Sequence, residues 1–151
     1  MKFLLILYLI FLSSVSFAEL LYPSPNLQPD EVISIQLNAL KNNKHPHLNA
    51  GIEQTWEFAH PLNRKYTGPL KNFIDLMYSP FYVMMIDHKD HNILLVSNED
   101  NIAYFFIELT DKIGNEFGFQ WIIEKVATKG KFNDCWMTTS VSQPMLLAKS
   151  T

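Results

Sequence analysis

Histidines are the first residues in this chain whose type and spacing could do chemistry. His45 and His47 flank Pro46, and His88 and His91 stand three apart beside Asp87 and Asp90. Imidazole and carboxylate are zinc ligands, so each pair could begin a metal site. A closed site wants four ligands, and the spacing fixes neither a third nor a fourth. The same residue types also crowd ordinary solvated turns, so the sequence assigns no metal and no cofactor. His60 follows the apolar pair Phe58-Ala59 and precedes Pro61. That position suits a cap on the carbonyl end of a helix, or a polar group orienting a ligand stacked on Trp56.

Nucleophilic chemistry has less to work with. Cys135 is the one cysteine; it lies beside Trp136 in an apolar stretch with no neighbouring base, where a thiol acts as a small buried hydrophobe. No serine stands in a nucleophile-elbow motif, and Thr138-Thr139-Ser140 reads as hydroxyls along a strand. The five glycines are spread singly, so no loop is built to cradle phosphate. No catalytic residue is assigned.

Aromatic residues make up 13% of the chain, more than a domain this small needs merely to fold. The stretch from Gly118 to Val141 holds two of the three tryptophans. Phe119, Trp121 and Ile123 share a strand face by the period of two, as do Trp136 and Thr138, and as do Tyr104 and Phe106 one strand earlier. That face either packs solidly under helices or lines an apolar cavity closed by Trp56 and Met77. The candidate pocket residues are therefore Trp56, His60, Met77, Tyr104, Trp121 and Trp136.

Helices come first in the chain. Ile33, Leu37 and Leu40 recur at helical spacing behind Asp30 and Glu31, which predicts a helix over 30–41. Ile52, Trp56 and Ala59 share a face of a second, over 50–59. Residues 62–68 are polar and rich in turn formers. Pro69 then stands at a favourable first position for a third helix running through Met77, which Ser79-Pro80 ends. Extended period follows, with strands predicted over 81–86, 93–96, 103–109, 117–126 and 134–141, the first two as a hairpin. Pro144 ends the predicted order and leaves 145–151 as a tail.

The amino terminus bears on the compartment. Lys2 precedes an uncharged run from Phe3 to Ala18, and Ser16-Phe17-Ala18 carries small residues where a signal peptidase reads them. Residues 1–18 are expected to be a removed signal peptide, because a span needs about 20 apolar residues; an uncleaved anchor is the rival reading. Residues 19–29, with three prolines, form an extended lead-in. Without the leader 11 basic and 15 acidic residues remain, a formal charge of −4 with no basic run. That distribution excludes a nucleic-acid footprint, and nothing holds a membrane surface after cleavage. A single domain over 30–144, periplasmic or secreted, must stand on packing without an intramolecular disulfide.

Helices followed by strands favour an α+β architecture: three N-terminal helices packed on one face of a curved, mainly antiparallel sheet of about five strands. The order resembles the nuclear-transport-factor-2-like superfamily of cystatin-like α+β cones. Val32 to Leu40, Gly51-Ile52 leading to Phe58-Ala59-His60-Pro61, Thr67-Gly68-Pro69-Leu70 with Phe73, and Cys135-Trp136 also resemble an uncharacterised domain-of-unknown-function family. The resemblance implies the cone fold for nearly the whole mature chain. It does not choose an activity, since such cones include isomerases, dehydratases, polyketide cyclases, ligand-binding modules and interaction domains. The expected role is an exported binding or interaction module, holding an apolar small molecule or pairing as a homodimer through the sheet face. The alternative is an isomerase, dehydratase or hydrolase working in the cone, which needs a carboxylic acid aimed into it.

Overall fold

The computed structural model describes residues 19–151; the expected signal peptide lies outside the described residues. Helix α1 spans Pro29–Lys41. Pro29 at its first position has no N–H to leave unsatisfied, and the Gln28 N–H is taken up by Glu31 Oε2 at 2.7 Å. Val32, Ile33, Gln36, Leu37 and Leu40 form its buried stripe. Helix α2, Ala50–Glu57, crosses α1 at Gly51. A Cβ there would stand 2.7 Å from the Ala39 carbonyl carbon and 2.9 Å from Asn43 Cα, so only glycine permits the approach.

Residues 62–68 are not the expected loop. Pro61–Thr67 forms helix α3, with α4 following as Leu70–Met77, so among the described residues four helices precede the sheet rather than three. The polar composition of α3 conceals it, because no residue of α3 is buried; it is held by the His60 cap at its N-terminus and by Arg64, from its middle, on the carbonyl end of α2. The expected strand over 81–86 is also corrected. Val83–Met85 is a single 3-10 turn that buries Met85 and Ile86, and the hairpin with 93–96 does not exist. A short apolar run that crosses a core has no period to tell it from a strand.

Strands β1 (Asp90–Asn98), β2 (Ile102–Thr110), β3 (Glu116–Lys125) and β4 (Trp136–Val141) pair antiparallel in that order. The expected tail contains a fifth strand, β5, Met145–Ala148. It pairs antiparallel with the Glu116–Gly118 end of β3, while β4 occupies the Trp121–Lys125 end of the same edge. Pro144 falls between the two, where no ladder N–H is required. The sheet has two ends, β1 and the β4/β5 edge, and does not close.

Register decides which side chains face the helices. Phe105 lies opposite Trp121 and Ile107 opposite Phe119, and these four are buried with α1, α2 and α4 in one cluster. Each large apolar side chain so buried contributes roughly 1.5–3 kcal/mol. Tyr104 and Phe106 have the opposite parity and lie on the far face, so the expected sharing of one wall by Tyr104 with Trp121 is corrected. Val126, Cys135 and Met137 make a separate small cluster with Phe132.

Candidate functional site

An open-mouthed space lies where α1, α2, α3 and α4 face the inner side of β4. A cavity of about 180 Å³ opens there. Leu40, Phe73, Met77, Met85, Trp121 and Val141 give it apolar walls, and Asn63, Tyr66 and Thr67 of α3 form one side. A register shift in the β3–β4 ladder puts Thr138 opposite Ile123 and Ser140 opposite Ile122, leaving Thr139 as the extra residue. Thr138 and Val141, three residues apart, consequently both reach the cavity beside Trp121.

A neutral hydrogen-bond chain runs along the inner wall. The Trp121 Nε1–H donates to Thr138 Oγ1 at 3.0 Å, and the Thr138 hydroxyl donates to Gln36 Oε1 at 2.6 Å. Gln36 Nε2 donates in turn to the Thr55 carbonyl at 3.0 Å. Gln36, Thr55 and Thr138 are all buried and would be costly without these partners. The Tyr82 hydroxyl donates to the Val141 carbonyl at 3.0 Å, and burial pushes its phenol pKa up, so it stays protonated near neutral pH.

Of the six residues singled out by sequence, Met77 and Trp121 line the cavity. Trp56 and His60 instead hold the side wall in place. The Arg64 guanidinium lies 3.7 Å over the Trp56 ring, and its nitrogens donate to the carbonyls of Ala59, Trp56 and Glu57 at 2.9–3.0 Å. Arg64 therefore supplies the cap at the carbonyl end of α2 that the sequence assigns to His60. His60 is the N-cap of α3: its Nδ1 accepts from the Leu62 N–H at 3.1 Å, which requires Nδ1 to be unprotonated. Burial lowers the His60 pKa in the same direction, against the pull of Glu124. Trp136 packs into the main core with Lys125 Nζ 5.2 Å from its ring, away from the cavity lining, and Tyr104 is on the other side of the sheet. Gln36, Asn63, Tyr82 and Thr138 are the site residues that sequence reasoning missed. Gln36 gave a signal, a lone amide on an otherwise apolar helix stripe between Ile33 and Leu40.

The second histidine pair does meet. His88 Nδ1 donates to the Met85 carbonyl at 2.7 Å, which leaves its Nε2 to accept from His91 Nδ1–H, also at 2.7 Å. Burial drives the His88 pKa down to about 4, the backbone carbonyl opposing and His91 and Lys41 assisting; burial lowers His91 as well. The flanking carboxylates turn elsewhere, Asp87 to Lys44 at 3.7 Å and Asp90 to Lys41 at 3.8 Å. His47 approaches Glu53 at 3.5 Å, and His45 joins it through a cis bond to Pro46. Among the described residues, no group of three or more His, Cys, Asp and Glu side chains is placed to hold a metal ion. The Cys135 thiol is buried, and burial followed by Asp134 raises its pKa, which disfavours the thiolate.

No family model matches the chain, and neither a curated protein nor a solved structure matches it. Among the described residues the structure defines an α+β domain with four α-helices and a five-stranded antiparallel sheet that does not close. No helix among the described residues is long and apolar enough to cross a membrane.

Proposed function

We propose that this protein is a small-molecule binding module, exported to the periplasm or beyond, that holds an apolar ligand in the cavity between its helices and β4. The single observation that carries this reading is the cavity itself, about 180 Å³ with mostly apolar walls and a satisfied polar chain on one side. Leaving a space of that size unfilled costs the core packing energy, and an apolar void on the order of 150 Å³ admits a benzene-sized guest. Helices that precede an open antiparallel sheet support the likeness to nuclear-transport-factor-2-like cones, in which such a space is a binding site. The alternative, an isomerase, dehydratase or hydrolase acting in the same space, asks for a carboxylic acid at the site. The cavity lining carries no carboxylate, imidazole, thiol, amine or guanidinium.

The test is native mass spectrometry of the mature protein after incubation with a lipid and metabolite extract. A retained small apolar species supports the reading, and a bare protein at every extract concentration contradicts it. Homodimerisation through the far sheet face belongs to the same proposed class. It is favoured by the exposure of Leu94, Tyr104 and Leu147, where Leu94 stands opposite Phe106 and Leu147 packs near Gly118. Sedimentation showing a monomer at high concentration would dispose of it.

A further inference from the structure

The hydrogen bonds already made inside the cavity restrict what its ligand is. The hydroxyl protons of Thr55, Thr67, Thr138, Thr139 and Tyr82 are each donated to a protein oxygen: Gly51 O at 2.8 Å, Asn63 O at 3.1 Å, Gln36 Oε1 at 2.6 Å, Ile122 O at 3.2 Å and Val141 O at 3.0 Å. The indole N–H of Trp121 is likewise spent on Thr138. A hydroxyl that has donated its proton still has lone pairs to offer, and an amide oxygen has two. Asn63 uses its Nδ2 on the Thr138 carbonyl at 3.2 Å, which leaves its Oδ1 without a donor. The hydroxyls of Tyr66 and Ser140 also line the space but are exposed at its mouth, so it is the polar capacity of the buried inner wall that is weighted towards acceptors.

Charge is restricted as well. The lining holds no cationic side chain to meet a carboxylate or phosphate, and no anionic one to meet an ammonium group. An ion taken into such a space gives up its hydration without gaining a counter-charge. We infer that the ligand of this cavity is uncharged, compact and chiefly apolar, and bears one hydroxyl or N–H that donates to the spare acceptors of the wall. A phenol has that chemistry. An aryl carboxylate of the same size has the wrong charge, and an arene carrying a methyl in place of the hydroxyl has no proton to give.

This inference rests on the cavity being a ligand site, and four probes separate the two claims. Phenol, toluene, benzoate and benzylamine are titrated at pH 7 into the full mature protein and followed by Trp fluorescence and calorimetry. One net hydrogen bond is worth about 0.5–1.5 kcal/mol, so phenol is expected to bind roughly threefold to tenfold more tightly than toluene. Benzoate and benzylamine are expected to bind at least tenfold more weakly than phenol. Toluene equal to or tighter than phenol, or either ion tighter than phenol, overturns the inference while leaving the cavity as a site. Failure of both neutral probes to bind overturns the underlying reading. The variant Val141→Phe, which fills the space from the end of β4, is expected to abolish binding of both neutral probes with the thermal transition retained. Binding that survives in the folded variant places the probes elsewhere and overturns the inference.

Discussion

The Thr138 hydroxyl lies 2.6 Å from Gln36 Oε1, joining β4 to α1 across 102 positions of sequence. The same residue is bound through its backbone, since its N–H donates to the Phe58 carbonyl and its carbonyl accepts from the His60 N–H, both at 2.8 Å. One threonine therefore ties the first helix, the α2–α3 connection and the sheet together beside the cavity.

Replacing Thr138 by Val keeps the shape and removes the hydroxyl, so Gln36 Oε1 and Trp121 Nε1 both lose a partner in a buried setting. An unsatisfied buried polar group costs about 1–3 kcal/mol, so Thr138→Val is expected to lower stability by about 2–4 kcal/mol in urea denaturation. Thr138→Ser, which restores the hydroxyl, is expected to recover most of it. Equal losses for Val and Ser would mean that the hydroxyl chain contributes nothing.

Arg64→Ala removes three donors to the carbonyl end of α2 together with the stack on Trp56. Hydrogen bonds from a charged donor contribute about 1.5–3 kcal/mol each in favourable settings, but these share one half-exposed side chain, so a loss of about 1–3 kcal/mol is expected. The loss concentrates in α3, whose amides are expected to exchange faster with deuterium while those of β2 and β3 keep their protection. Uniform loss of protection across the sheet would contradict this role.

Gly51→Ala places a methyl group against the Ala39 carbonyl and Asn43 Cα, backbone atoms that cannot swing aside. The ordinary gain in helix propensity, about 1 kcal/mol, is outweighed by forced separation of α1 from α2. A net destabilisation above about 2 kcal/mol is expected in thermal or urea unfolding. A neutral or stabilised variant would show that the crossing tolerates a wider gap.

The histidine pair sets a pH dependence. His88 is neutral in the fold with its pKa pushed down to about 4, whereas in the unfolded chain it titrates near 6.5. Between those values the unfolded chain binds the extra proton and the fold does not, so stability is full above about pH 6.5 and is lost as pH falls towards 4. His91, also lowered by burial, adds in the same direction, while Lys41 and Asp90 nearby act in opposite senses. A loss of about 3 kcal/mol from His88, with His91 adding in the same direction, is expected across that window. His88→Asn, whose amide can still donate to the Met85 carbonyl, is expected to flatten the slope. An unchanged slope in that variant would assign the acid sensitivity to other groups.

How much of this was legible in the sequence depends on whether the signal was local. The stripe of Val32, Ile33, Leu37 and Leu40 repeats four times at helical spacing, and α1 follows it closely. The parity of Phe119, Trp121 and Ile123 fixed their shared burial. For α3 the local residues are polar and the helix depends on the His60 cap at its N-terminus and on Arg64 bonding to the end of α2, which no periodicity reveals. Strand β5 is exposed along its length and exists because β4 leaves half of the β3 edge free. Tyr104 was misplaced for a similar reason. Alternation says that Tyr104 and Phe106 share a face, but pairing with β3 decides that the face beside the helices belongs to Ala103, Phe105 and Ile107. Thr138 and Gln36 are far apart in sequence, so their bond belongs to the fold.

The proposed function requires the space beside Trp121 to take up a guest. Its most direct measurement is a titration of the protein over residues 19–151 with phenol and, separately, toluene, observing Trp121 side-chain resonances or emission in a Trp56→Phe, Trp136→Phe background. Saturable change at Trp121 in that background, abolished by Val141→Phe, is the expected result. A Trp121 signal that responds to neither probe at millimolar concentration, with the protein folded, would contradict the proposed function.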